Sequence, residues 1–393
     1  MWRSLPGRYH RPVAHVQTTV TRPLAPRDEV DSLLRRMPKA ELHVHLDGSV
    51  RPATAFALAR ERGLDDGSDL AAIGARLAGP ARPRDQAELL RAFDLPIALM
   101  QDVEALRRIT AELVEDVASD GTRYAEIRWA PALHLARGLG LRDGIAAVVH
   151  GARDGVAAVE AAALPQGGTI TGRPGYLPRV VVRLIAVAMR SHDPVVNVRV
   201  AESAAGFAGE WLTGFDIAGP EAAFPDALAH RAAIAAAREA GLGITVHAGE
   251  WGGSAQVRRA LKLDPARIAH GATAIADPGL VAALRDRNVT LDLCPTSNVQ
   301  AAMFTRIADH PLPRLMRAGV GVTLSTDART VTGLTLVDEY RNAFCLLGLS
   351  LPEIWAVDRH ALEVAFLGDD EPLRRNLLRA FDAFAAAEVG VLL

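Results

Sequence analysis

From about residue 28 onward, short β-like runs alternate with amphipathic helical stretches, and this alternation constrains the fold more than any other feature. The strand candidates are Glu41–Leu46, Tyr124–Trp129, Val180–Ala188, Leu212–Ile217, Ile244–His247, Arg267–His270, Val289–Cys294 and Gly321–Thr326. Between them lie stretches such as VEALRRITAELVEDVAS and PGLVAALRDRN, with apolar residues at helical spacing. Strands alternating with helices imply a parallel sheet, and eight of them imply a closed α/β barrel of the (β/α)₈, TIM type. No GxGxxG follows the first strand, which counts against a dinucleotide site.

Two additions to the plain barrel are expected. A helical insertion of roughly residues 50 to 120 follows the first strand, and Leu90, Phe93 and Leu95 in it either lid the barrel mouth or form an ordinary packing stripe. Extra C-terminal helices follow the eighth strand. Residues 28–393 read as one domain, and 1–27, basic and without an apolar core, read as a disordered extension. The glycines from Gly167 to Gly175 mark a surface loop before the third strand.

Composition narrows the function classes. A chain that is 49% hydrophobic and 23% charged has the makings of a soluble core. A net charge of −2 offers little attraction to nucleic acid or to a membrane surface, and no apolar run is long enough to span a bilayer. The two cysteines, Cys294 and Cys345, make neither a disulfide framework nor a zinc spacing, so a cytoplasmic setting is expected. Oligomeric state is open.

The chemistry gathers at the C-terminal ends of the strands. In ELHVHLDG, His43 and His45 alternate along a strand and so share a face, with Asp47 just beyond. The fifth strand ends in VHAGE, with His247 and Glu250; the sixth in IAHG, with His270; the eighth in STD, with Asp327. Barrel active sites are built from such strand ends. Burying several unpaired ionisable groups costs several kcal/mol each, so a bound cation and a polar substrate are the economical explanation. Three His and one Asp suit zinc or a similar divalent ion.

ELHVHLDG, VHAGE, IAHG, CPTSN and STD, in that order, resemble the motifs of the adenosine deaminase family, within the metal-dependent amidohydrolases. TGFDIAGPE (213–221) resembles the family's DLAG segment, and YAEIRWAP (124–131) its second strand. The resemblance implies hydrolytic deamination of adenosine, or of a related 6-aminopurine nucleoside, to the 6-oxo product and ammonia. It implies one Zn²⁺ held by His43, His45, His247 and Asp327, activating a water for attack on C6 of the purine. Glu250 would be protonated and donate to N1, while His270 would orient the water. Asp327 would serve both the metal and catalysis, and His45 would also border the substrate. Gly219 would offer its N–H to N3, Asp216 would fix a ligand histidine, and Asp47 would accept from the ribose 5′-hydroxyl.

Only two lysines are present: Lys39, placed before the first strand, and Lys262, beyond the fifth. Neither can supply the carboxylated lysine of binuclear relatives, which favours a single metal. One departure opens the substrate question. The family usually carries a second Asp after the ligand Asp, contacting N7 of the purine, and here that position is Ala328, followed by Arg329. 6-Amino-6-deoxyfutalosine, adenine or a modified adenine nucleoside are then alternatives to adenosine, as is, in a different class, a non-catalytic nucleoside-binding protein. Pro220 also removes a backbone donor beside Gly219.

Overall fold

The computed structural model describes residues 27–163, 178–368 and 370–388; residues 1–26 of the expected N-terminal extension and the glycine-rich loop at 167–175 lie outside the described residues, and Arg27 begins the helix Arg27–Arg36. Eight parallel strands follow one another in chain order: β1 (Lys39–His45), β2 (Thr122–Trp129), β3 (Val181–Met189), β4 (Leu212–Ala218), β5 (Gly243–Ala248), β6 (Arg267–His270), β7 (Thr290–Leu293) and β8 (Val322–Leu324). Each pairs with the next in parallel register, as Ile127 does with Leu184 and Val246 with Ile268. The ring closes between β8 and β1, where the Asp327 N–H donates to His43 O at 3.0 Å and the His45 N–H to Asp327 O at 2.6 Å. This is a TIM-type α/β barrel, with strand limits within two residues of those read from the sequence.

The helices explain themselves locally. Val103–Ser119 starts at Asp102, whose side chain accepts from the Ala105 N–H, and buries Leu106, Ile109, Leu113 and Val117 on one stripe. Pro295 opens the short helix Pro295–Gln300 directly after β7, where a residue without an N–H costs nothing. Leu336–Cys345 and Leu351–Val364 both begin with capping boxes, at Thr335 and Ser350. With Glu371–Ala387 they make up the C-terminal helical addition.

The barrel interior is charged as well as apolar. Glu126, Arg128, Asp216, Arg267 and Asp292 are fully buried there. Arg267 is paired with Glu126 and lies 3.1 Å from Asp292, and Arg128 lies 2.8 Å from Asp216. Such buried pairs contribute little net stability, yet removing one partner is costly because the other charge is stranded. The network ties side chains of β2, β4, β6 and β7 to one another across the interior.

One expectation needs correction, and one open alternative is divided. Lys39 is the first residue of β1 and not a residue before it; its Nζ is buried, donating to Met37 O and Asp120 O at 2.6 and 2.8 Å. In the insertion, Leu90 and Phe93 do line the barrel mouth, but Leu95 packs into the main core. The short helix Asp94–Leu99 turns Leu95 inward and Ile97 toward the mouth, because neighbouring positions on a helix face different ways.

Candidate active site

The C-terminal ends of β1, β5 and β8 bring four donors to one point. The Nε2 atoms of His43 and His45 are 3.2 Å apart, as are those of His45 and His247. Asp327 Oδ1 lies 3.1 Å from His43 Nε2 and 3.4 Å from His45 Nε2. All four ligand atoms lie within 4.8 Å of one another. Burial drives His43 well below the ordinary imidazole pKa and His45 down to about 3, so both rings are neutral and keep a lone pair on one nitrogen. Three converging imidazole nitrogens and one carboxylate oxygen fit a divalent metal ion.

The supporting contacts orient this set. Ser297 Oγ donates to Asp327 Oδ2 at 2.5 Å, leaving Oδ1 to face the histidines. Asp216 Oδ2 lies 2.9 Å from His247 Nδ1 and 2.8 Å from Arg128 Nη1. Burial alone would raise the Asp216 carboxyl, but the His247 imidazole and the Arg128 guanidinium beside it outweigh that and hold the group low. Asp327 (φ 69°) and His270 (φ 64°) both adopt left-handed backbone, uncommon for residues with a side chain. Such conformations persist where surrounding structure over-determines them, frequently at functional sites.

Beside the four donors stand Glu250 and His270, with Glu250 Oε1 3.8 Å from His270 Nε2. Burial, then the charge of Asp327, pushes the Glu250 carboxyl up to about 8, so it carries a proton at neutral pH. The tautomer of His270 follows from a chain of hydrogen bonds. The Leu312 N–H donates to His310 Nδ1 at 3.2 Å, so the proton of a neutral His310 is on Nε2. That proton is donated to Asn298 Oδ1 at 3.0 Å, which turns the Asn298 amide so that Nδ2 donates to His270 Nδ1, also at 3.0 Å. The proton of neutral His270 is left on Nε2, the nitrogen nearest Glu250.

A family model described as adenosine deaminase matches residues 38–383. An adenosine deaminase of Enterococcus faecalis is 32% identical over 341 residues, covering 87% of this chain and 95% of its own.

The chain belongs to the adenosine deaminase family.

Among solved structures, an adenine deaminase from Arthrobacter aurescens superposes with a TM-score of 0.76 at 25% identity, covering 89% of this chain and 99% of its own. The N6-methyl-AMP deaminase from Arabidopsis thaliana gives 0.76 at 26% identity, covering 91% and 99%. This adenosine deaminase family member is accordingly a hydrolase of the deaminase type.

Its cavity, of about 240 Å³, is lined by His45, Asp47, Gly219, His247, Glu250, His270, Asp327 and Ala328 together with a largely apolar wall. Asp47 is buried, burial raises its carboxyl to about 7, and Oδ1 accepts no hydrogen bond among the described residues. Gly219 has φ 107°, a left-handed backbone that strongly favours glycine, and so brings its backbone to the edge of the cavity. Ala328 packs with Leu89, Ala92, Ala301 and Val331, and Phe93 and Trp251 rest against them. The wall next to Asp327 is thus apolar. Arg329 does not enter the pocket; its Nη2 donates to Glu41 at 3.0 Å and Asp120 at 2.7 Å.

Several contributors escaped the sequence reading. Ser297 and Asn298 sit inside the quoted CPTSN, yet their partners are 30 and 28 residues away. His310 and Glu221 carried no signal beyond residue type, although Glu221 closes the AGPE segment.

Proposed function

We propose that this protein is a zinc-dependent hydrolase converting adenosine, or a close 6-aminopurine nucleoside, and water into the 6-oxo nucleoside and ammonia. The observation that carries this reading is the convergence of His43, His45, His247 and Asp327 beside Glu250 and His270 in one cavity. A single zinc ion held by those four residues would supply Lewis-acid activation of the attacking water. Glu250, kept protonated by burial, donates its proton to N1 of the ring as aromaticity is lost. His270 presents its Nε2 proton and stabilises the charge that develops at C6. The Gly219 N–H meets N3, and Asp47 accepts from the ribose 5′-hydroxyl. Asp216 holds His247 in the ligating tautomer.

The cavity also favours a nucleoside over a nucleotide. No Lys or Arg is found among the described residues lining it, whereas Asp47, Asp94, Glu250 and Asp327 are. A phosphate or other anionic substituent calls for Arg, Lys or a cluster of N–H donors. Ala328 puts an apolar surface where a carboxyl is usual in the family, so that edge of the ring meets no hydrogen-bond partner from this position. No described helix is long and apolar enough to cross a membrane, and the cysteine usage suits a cytoplasmic enzyme.

Conversion of adenosine, adenine and AMP to their 6-oxo products with release of ammonia, and of N6-methyladenosine to its 6-oxo product with release of methylamine, measured beside metal analysis of the purified protein, tests the reading. Rapid turnover of a nucleoside with one zinc per chain is expected. Turnover of AMP alone, or of none of the four, overturns it.

A further inference from the structure

The loop that carries Glu250 reads Ala248-Gly249-Glu250-Trp251-Gly252-Gly253, and three glycines in six residues would leave it with much backbone freedom. A carboxylate from a different loop removes that freedom. Glu221 is buried, and it accepts from the backbone N–H groups of Gly249 at 2.8 Å, Trp251 at 2.7 Å and Gly252 at 2.9 Å. These amides flank Glu250 on both sides.

The grip extends beyond one residue. Thr273 Oγ1 donates to Gly249 O at 2.9 Å, so Gly249 is held through both its N–H and its C=O. Gly249 has φ 78°, and a Cβ there would meet Val257 Cγ2 at 2.5 Å and Thr273 Oγ1 at 2.6 Å. Arg190 Nη2 lies 3.8 Å from Glu221 Oε1 and donates to His247 O at 2.7 Å, tying the same assembly to the end of β5. Hydrogen bonds to a charged acceptor are stronger than neutral ones, and a carboxylate is the small acceptor able to take three at once.

We propose that Glu221 is a positioning residue for catalysis: by holding the amides on either side of Glu250, it fixes the direction in which the Glu250 carboxyl faces the substrate. Proton donation depends on such alignment, because reacting groups must be held close to the productive geometry. Glu221 lies two residues after Gly219, so one loop both borders the cavity and secures the neighbouring loop. This role rests on the deaminase reading above, since it acts through Glu250.

Glu221→Gln keeps the shape and replaces one acceptor oxygen by a donor that faces an N–H. In the metal-loaded protein the expected result is a kcat at least tenfold lower, with KM and zinc content within twofold. Amide hydrogen exchange at 249–252 should be at least tenfold faster. Thr273→Val, which removes only the grip on Gly249 O, should show both effects more weakly and guards against misfolding of the first variant. Faster exchange with unchanged kcat overturns the proposal, as does a loss that appears only in zinc content. Unchanged exchange in both variants overturns it too. A wild-type protein inactive on every 6-aminopurine overturns the deaminase reading and this role with it; an active wild type with an unaffected Glu221→Gln kcat overturns this role alone.

Discussion

Asp327 and His43 meet twice: the Asp327 N–H donates to His43 O at 3.0 Å, and Asp327 Oδ1 lies 3.1 Å from His43 Nε2. The first contact closes the barrel, and the second builds the donor set. The same two residues therefore join β8 to β1 and place a carboxylate against three imidazoles.

Separating those tasks gives the first prediction. Asp327→Ala keeps its backbone contacts, so the circular-dichroism spectrum should be unchanged while bound metal becomes substoichiometric and turnover is lost. Asp216→Asn, which weakens the carboxylate support behind His247 on β5, should lower metal affinity or activity by about 10–100-fold. Full zinc content in purified Asp327→Ala would contradict the assignment.

Glu250→Gln should retain zinc and nucleoside binding while kcat falls by about 10²–10⁴-fold, the range associated with a positioned proton donor. Equilibrium binding of the unreactive product, set beside steady-state kinetics, separates the two. An activity within a fewfold of wild type would remove Glu250 from the proton-donor role.

Asn298→Ala interrupts the chain from Leu312 through His310 to His270 and frees the His270 proton to move to Nδ1. A fall in kcat of about tenfold or more is expected, part of the about 10²–10⁴ such groups supply. Nitrogen chemical shifts of His270 should change from a fixed to a mixed tautomer.

Prolonged chelation should abolish turnover and lower Tm, since a ligand bound only by the native state stabilises it. Added zinc should restore both. Retained activity after verified removal of the metal would contradict metal dependence.

At the opposite end of the barrel, Asp358 Oδ1 accepts from the Ala40 N–H at 2.8 Å and from Tyr340 Oη at 2.6 Å, with Lys39 as the nearby charge. Burial raises its carboxyl from 3.8 to about 7. A folded-state pKa above the unfolded one contributes stability that is complete below 3.8 and lost as pH rises through about 7. Burial also lowers Lys39 to about 8, so absolute pH curves mix the two groups. Comparison with Asp358→Asn isolates the carboxyl: Tm of the variant relative to wild type should rise between pH 4 and pH 8, about the window set by that shift. A difference independent of pH would show that Asp358 does not titrate there.

The strand order, the parallel barrel and the candidate cluster of three histidines and one aspartate could be read from the chain because each depends on local pattern. Alternation of strands and helices dictates the topology, and His43, His45, His247, Glu250, His270 and Asp327 each terminate an apolar run where a barrel gathers its chemistry. Tertiary structure alone decided what those residues lean on. Glu221 reaches Gly249 from 28 residues away, His310 sets the proton of His270 through Asn298, and Leu95 turned inward while Phe93 faced the mouth. Periodicity says which residues share a face of one element. Hydrogen-bond partners between loops depend on how strands are staggered and helices packed, and those distances are not written in residue spacing.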